Sequence, residues 1–251
     1  MKITVITTTY NSAVTIRDTL ASILRQTHQE FELIVKDGGS TDGTMQIVEE
    51  YEPMFAGRLH FITGADEGMY DAMNQGVVAA TGEIVGFLNS DDFYTSEKVL
   101  ATVSSVFESD ETLDAVYGDV HYVNDADLKK CVRYYSSKGF KRERMMQGWM
   151  PAHPSFYCRR EMYMRYGLFD TSFIIAADFE LLLRMIYIHS IKTMYIEMDF
   201  VTMRMGGAST RGWHSWFLIM KDHLRAFKKN GIKNNVFRLS MRYMGKMVEI
   251  F

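Results

Sequence analysis

Ile3 to Thr9 is a short, unbroken run of apolar and β-branched residues, the pattern of a strand buried on both faces of a parallel sheet. Behind it, Val14, Ile16, Leu20, Ile23 and Leu24 recur at helical spacing, with Asn11 or Ser12 placed to cap the helix. The alternation then repeats. Phe31 to Lys36 and Leu59 to Thr63 read as the second and third strands. Helices are predicted over Thr44–Tyr51, capped from Ser40-Thr41-Asp42, and over Asp71–Ala80, ended by Thr81-Gly82. A fourth strand follows over Glu83–Leu88. Strand–helix alternation at this spacing predicts right-handed βαβ units and an α/β fold, a mostly parallel central sheet flanked by helices.

From Ser96 the pattern loosens. A helix over Ser96–Phe107 and a strand over Ala115–His121 stand out, with further strands at Leu128–Tyr135 and Phe156–Arg159. A helix over Phe179–His189 turns Leu181, Leu182, Met185 and Ile186 inward. Lys192–Met198 and Val201–Met205 read as two strands, with Gly206-Gly207 as a hinge. From Trp213 the chain reads as helical to its end, in two pieces broken near Asn230-Gly231. Three divisions follow: a Rossmann-like half over 1–95, a less regular half over 96–210, and a helical extension over 211–251.

Three predicted strands break into similar loops: "ITTTYNS", "VKDGGSTDGT" and "GFLNSDD". In open sheets of this class ligands sit beyond the carboxyl ends of the strands, so these loops should converge on one crevice. Asp37 ends a buried strand before glycines that let the backbone approach a ligand closely. An acid there can accept from a planar base or a ribose hydroxyl; a glycine-rich turn capped by Ser40 or Thr41 explains it equally well. Asp91 and Asp92 can face one hard cation, or they can satisfy backbone donors ahead of the next helix. Neither GxGxxG nor GxxxxGK[ST] occurs, so neither the dinucleotide fingerprint nor the P-loop applies.

Composition narrows the class. Hydrophobic residues make up 47% of the chain and charged residues 24%, ordinary values for a globular protein with a sizeable core. A net charge of −3 argues against a general nucleic-acid binder. That total hides an asymmetry. From Arg211 onward nine basic residues face two acids, so the extension carries about +7 and the remainder about −10. Cys131 and Cys158, without a CxxC, predict neither a disulfide framework nor a cysteine zinc site, in keeping with a reducing cytosol. With no basic leader before a long apolar run, and no stretch long enough to span a bilayer, a soluble cytoplasmic protein is expected.

Taken together, "ITTTYNSAVTIRDTLASILRQTHQEFELIVKDGGSTDGT", "DEGMYDAMNQGVVAATGEIVGFLNSDD", "HPSFY", "FDTSFIIAADFELLLR" and "MRMGGAS" resemble, in order and spacing, the family 2 glycosyltransferases. The similar subgroup assembles bacterial O-antigen, capsule and colanic acid. The resemblance covers Lys2 to Ser209. It implies a GT-A fold and an inverting transfer from a nucleotide-diphosphate sugar, UDP-linked by expectation, to a glycan acceptor that is often lipid-linked. It also implies a divalent cation, Mn²⁺ or Mg²⁺.

Carried over by position, Thr8, Thr9, Tyr10, Asn11, Asp37 and Gly38 would hold the nucleotide. Asp66, Glu67, Tyr70, Asp71, Asn74, Asn89 and Ser90 would border the diphosphate and donor sugar. Asp91 matches the metal-binding acid. The family often has Asp where this chain has Asn89, which keeps an oxygen ligand but removes one charge. The family's base matches Asp178, with Glu180 as a competitor; at a helix start either acid could instead serve only the helix dipole. Single in-line displacement needs one such carboxylate to take the acceptor proton. His153, between prolines, reads as structural or as facing the acceptor, where Gly206 and Gly207 are also expected. His214 is the weaker candidate for the metal sphere, because Trp213 and Trp216 beside it suggest packing.

The basic extension suits an anionic membrane surface as a basic amphipathic helix, or a helix covering the domain's own core. The membrane reading puts the protein peripherally on the inner face of the bacterial membrane. Two competing functions are a sugar-nucleotide nucleotidyltransferase and a catalytically silent binding module. The first lacks its glycine-rich triphosphate loop; the second is disfavoured by the presence of both Asp91 and Asp178. Oligomeric state is left open by the sequence.

Overall fold

A computed structural model of the chain describes residues 1–206 and 212–239, with the backbone alone for 212–216. The first half follows the predicted alternation: β1 (Ile3–Thr9), α1 (Ile16–Leu24), β2 (Phe31–Asp37), α2 (Thr44–Tyr51), β3 (Leu59–Thr63), α3 (Met69–Ala79) and β4 (Ile84–Phe87). These four strands lie in the order β3-β2-β1-β4, all parallel. The order reverses beside β1, so the loops after β1 and β4 flank a switch point where such sheets open a ligand crevice.

The second half adds β5 (Phe93–Tyr94), α4 (Val99–Ser109), β6 (Ala115–Asn124), β7 (Asp127–Tyr135), β8 (Phe156–Arg159), α5 (Arg160–Tyr166), α6 (Ala177–Leu182), β9 (Thr193–Arg204) and α7 (Gly212–Lys229). One sheet runs through both halves, in the order β3-β2-β1-β4-β8-β6-β9-β5, with β7 on the outside of β6. Strands β8, β5 and β7 run against the rest, and six of the nine described strands share one direction.

Side chains alternate between two cores. On one face Ile3, Val5, Leu33 and Val35 meet Leu20, Val48 and Val103 of α1, α2 and α4. On the other, Ile6, Ile34 and Phe87 meet Met73 of α3, Tyr163 of α5, Phe179 of α6 and Phe227 of α7. The helix α7 is therefore part of the second core, as one of the two readings of the extension expected. It ends ahead of a break at 230–235, and 236–239 is helical again.

Four expectations change. The two strands foreseen at Lys192–Met198 and Val201–Met205 are one, β9, whose pairing with β6 slips around Asp119. Such a slip absorbs the polar interruption at Glu197 and Asp199. The helix foreseen over Phe179–His189 starts at Ala177 and widens to a π-helical turn over Leu183–Ile188. The two-residue β5 and the seven-residue α5 were not foreseen.

At the amino end of the sheet, opposite the crevice, Glu32 is buried and fixes the turn into β4. It accepts hydrogen bonds from the Thr4 hydroxyl and from the Thr81 amide and hydroxyl, each at 2.6 Å, and pairs with Lys2 at 2.8 Å. Burial works against its charge, but the hydrogen bonds from Lys2, Thr4 and Thr81 prevail and hold its pKa down at about 2. A depressed carboxylate stabilises the fold above its unfolded pKa, and that contribution is lost as pH falls toward the folded value. Chemical unfolding should therefore show roughly 3 kcal/mol draining away between about pH 4.5 and 2. Glu32→Gln should flatten that acid limb; an unchanged limb in the variant would assign it elsewhere.

Candidate active site

The loops after β1, β2 and β4 do converge, on a cleft of about 1160 Å³. The first two are stitched together. Asn11 adopts a left-handed conformation (φ 50°), which Asn tolerates better than most residues. Its amide donates to the Ser40 hydroxyl at 2.8 Å, and its side-chain oxygen accepts from the Thr41 amide at 2.9 Å. Asp42 accepts from the amides of Ala13 and Thr44, both at 3.0 Å. The Thr44 hydroxyl bond and the Ala13 amide together lower the Asp42 pKa. Ser12 then bridges to the β4 loop through Ser90, hydroxyl to hydroxyl, at 2.8 Å.

Of the positions expected to hold the nucleotide, Thr8, Thr9, Tyr10, Asn11 and Gly38 line the cleft. Asp37 is buried beside it. Its carboxylate accepts from the Gly39 and Ser40 amides at 3.0 Å and from the Ser40 hydroxyl at 2.5 Å, so it shapes the glycine turn. At Gly38 a Cβ would stand 3.0 Å from Asp66 Oδ2 and 3.5 Å from the Tyr10 ring, which explains the absence of a side chain there.

Asp66 is held by a partner that sequence reasoning missed. Lys36 is 1% exposed, and its Nζ donates to the carbonyls of Asp37 and Gly64 at 2.8 Å and to Asp66 Oδ2 at 2.9 Å. All three ammonium protons are thus used, as a buried lysine requires. A lone lysine inside an apolar strand was the available signal. Asp66 Oδ1 in turn accepts from the Gly68 amide at 3.0 Å, and Asp71 accepts from the Glu67 amide at 3.1 Å. Asp66 and Tyr70 line the cleft; Glu67 and Asp71 shape the start of α3 behind it.

Asn89, Ser90, Asp91 and Asp92 form the wall beneath β4. Arg204, from the end of β9, braces it: Nε donates to the Asp91 carbonyl at 2.9 Å and its amide to Asp92 Oδ1 at 3.3 Å. Its guanidinium also pairs with Asp18 and, at 2.8 Å, with Asp125. The charge of Arg204 is thus shared away from the Asp91 carboxylate, which has no ion pair among the described residues. Burial raises the Asp91 pKa, and burial plus the neighbouring Asp91 raises that of Asp92 well above the carboxylate range. Two crowded acids whose charge Arg204 offsets only in part are a donor set suited to a hard cation. No group of three acid, histidine or cysteine side chains gathers there among the described residues.

The opposite wall carries Asp178, in the first turn of α6. Its Oδ1 accepts from the Phe179 amide at 2.7 Å. Glu180, two residues on, points to the other side of the helix and is fully buried. It pairs with Arg184 at 3.0 Å and accepts from Asn230 at 3.0 Å, beside a separate cavity of about 490 Å³. Only Asp178 of the two candidate bases reaches the cleft.

Around Asp178 the support is aromatic. Tyr70 stacks on Phe169 with centroids 5.7 Å apart, and its hydroxyl donates to the Ile175 carbonyl. Burial, and then the charge of Asp178, push the Tyr70 hydroxyl's pKa upward. His153 borders the same cleft, with its ring 5.1 Å from Phe87 and 5.5 Å from Phe169. Burial lowers its pKa to about 4, so the imidazole is neutral at physiological pH, and Nε2 has no hydrogen-bond partner. Asn74 lies outside the cleft and clamps Phe169, donating to its carbonyl and accepting from its amide at 2.9 Å each way. Gly206 has φ +116°, as a hinge glycine would. Gly207 and the His214 side chain lie outside the described residues.

The helix α7 closes this wall, which was not anticipated. Ile219 and His223 border the cleft, and His223 stacks on Phe179 at 3.9 Å. Asp222 Oδ2 accepts from the amides of Ile175 and Ala176 at 3.1 and 3.3 Å, immediately ahead of α6.

Comparison with known proteins agrees with this geometry. The family model described as glycosyl transferase family 2 matches residues 4–171. A PGL/p-HBAD biosynthesis glycosyltransferase of Mycobacterium tuberculosis is 31% identical over 194 residues, 77% of this chain and 73% of that protein. Among solved structures, S. aureus TarS 1–349 in complex with UDP-GlcNAc superposes with a TM-score of 0.72 at 21% identity, over 90% of this chain. The mannosyltransferase PcManGT from Pyrobaculum calidifontis, in complex with GDP-Man and Mn²⁺, gives 0.66 at 23% identity over 93%. This chain spans 66% and 65% of those two chains, and at such identities the likeness speaks for the fold.

Proposed function

The chain belongs to glycosyl transferase family 2, and we propose that it moves a sugar from a nucleotide-diphosphate donor to a hydroxyl of a glycan acceptor, with inversion. One observation carries the reading: Asp91 and Asp178 line one cleft, together with the loops at the carboxyl ends of β1 and β4. The nucleotide lies along Thr8 to Asn11 and over Gly38, with Tyr10, 66% exposed, free to cover a base. Asp66, held by Lys36, and Asn89 and Ser90 border the diphosphate and sugar. UDP is the expected nucleotide, supported by the UDP-GlcNAc seen on TarS.

The reaction needs one proton moved. An acceptor hydroxyl attacks the anomeric carbon as the nucleoside diphosphate departs, and Asp178 takes the hydroxyl proton. Tyr70 and Phe169 fix the segment that leads into α6, while the apolar rings around His153 keep water out. Neutral His153 suits a hydroxyl-bearing acceptor better than a charged one. Asp91, with Asn89 beside it, would hold a divalent cation, Mn²⁺ or Mg²⁺, a choice supported by the Mn²⁺ on PcManGT. When bound, that cation neutralises charge on the leaving diphosphate. A glycan acceptor on a lipid carrier, in cell-surface polysaccharide assembly, completes the reading.

The test is calorimetric titration of UDP, GDP and dTDP, each with and without Mn²⁺, on wild type and Asp91→Ala. Metal-dependent binding of one nucleotide, abolished by the substitution, is the expected result. No binding of any of them by the folded protein would overturn the reading and favour a silent module.

A further inference from the structure

The two faces of α7 differ in kind. Inward, Met220, Ala226 and Phe227 are buried in the core that holds α6, and Asp222 fixes the segment ahead of Asp178. Outward, Phe217, Lys221, Arg225 and Lys228 follow at spacings of four, four and three, which puts them along one face of the helix. The cations continue beyond it with Lys233 and Arg238. Lys221, Lys228, Lys233 and Arg238 have no ion pair among the described residues. Asp222, the only acid between 212 and 239, is buried, and among the described residues only Lys229 of this helix has an ion pair, with Asp170, so the positive charge of the outer face is largely unbalanced.

Large apolar side chains stand among these cations: Phe217 is 64% exposed and Phe237 76%. On the neighbouring segment Ile174, which borders the cleft, is 72% exposed. Apolar groups beside unpaired lysines suit a surface that offers both phosphate charge and hydrocarbon. A soluble polyanion would recognise the cations but make no use of the exposed apolar surface beside them.

We propose that the outer face of α7, continued through Lys233 and Arg238, docks on an anionic lipid bilayer. The proposal rests on the transferase reading for its purpose, since docking would hold the chain at the membrane that carries a lipid-linked acceptor. Because the inner face of the same helix holds the segment ahead of Asp178, docking and the base share one support.

Flotation of the full chain with phosphatidylglycerol–phosphatidylcholine vesicles tests it, against vesicles of phosphatidylcholine alone. Wild type should float with the anionic vesicles at low salt and be released at high salt. Lys221→Glu/Lys228→Glu/Lys233→Glu should weaken partitioning about a hundredfold or more, at about fivefold per cation removed. Phe237→Ser should weaken it at every salt concentration. No flotation of wild type, equal flotation with phosphatidylcholine alone, or poly-L-glutamate competing as well as the anionic vesicles would each overturn the proposal. Nucleotide titration of the triple variant separates the readings, because its cleft is untouched. Retained nucleotide binding with lost flotation supports docking, whereas flotation without nucleotide binding would sink the transferase reading alone.

Discussion

Asp178→Asn should lower the transfer rate by about 10²–10⁴-fold, the usual range for removing a general base, while leaving nucleotide affinity unchanged. The substitution is nearly isosteric. An Asn oxygen can still accept from the Phe179 amide, the 2.7 Å bond that Asp178 makes now, so α6 should start as before. Single-turnover transfer and calorimetric titration on the same sample check both halves of the expectation. Transfer at the wild-type rate would remove Asp178 from the role of base. Glu180→Gln offers the contrast. Its carboxylate is buried against Arg184 and Asn230, away from the cleft, so the change should act on unfolding more than on the pH profile of transfer.

Lys36→Ala should cost about 3–5 kcal/mol of folding stability, the range for stripping one partner from a buried ion pair. Three acceptors lose their donor at once: the Asp66 carboxylate and the carbonyls of Asp37 and Gly64. Those groups shape the cleft wall along which the nucleotide is proposed to lie, so nucleotide affinity should fall along with the denaturation midpoint. Lys36→Met with Asp66→Asn should be milder than Lys36→Ala, because no charge is then left alone in the interior. Urea titrations of the three proteins decide it. A loss below about 1 kcal/mol in Lys36→Ala would mean that solvent reaches Asp66 and screens it as at a surface.

The first half of the fold was legible because β1, β2 and β4 are buried on both faces. A run such as Ile3 to Thr9 leaves little choice of structure, and its bounds agree with those of β1. Asp91 and Asp178 stood out through the family resemblance, since a capping or helix-dipole role explains each acid locally; the structure brings both to one cleft. What escaped depends on partners far along the chain. Lys36 finds Asp66 thirty residues away, and Arg204 reaches Asp18 at a separation of 186. Neither pairing leaves a periodic trace. Asn74 sat in a stretch assigned to the donor, yet its amide spans to Phe169, 95 residues on. The two residues of β5 are too few to carry an alternation, and they exist as a strand only because β9 offers its edge.

The interleaving of the sheet bears on how such a transferase could be re-engineered. Chain order and spatial order part company after β4: β8 pairs with β4, while β5, next in the chain, pairs with β9 at the far edge. A cut near residue 95 would therefore strip the middle of the sheet and its rim at once, leaving two fragments that each show an open strand edge. Chimaeras that join a donor half from one relative to an acceptor half from another would inherit both mismatches. An exchange confined to a cleft-lining loop, such as the segment ahead of α6, would leave the strand pairing in place.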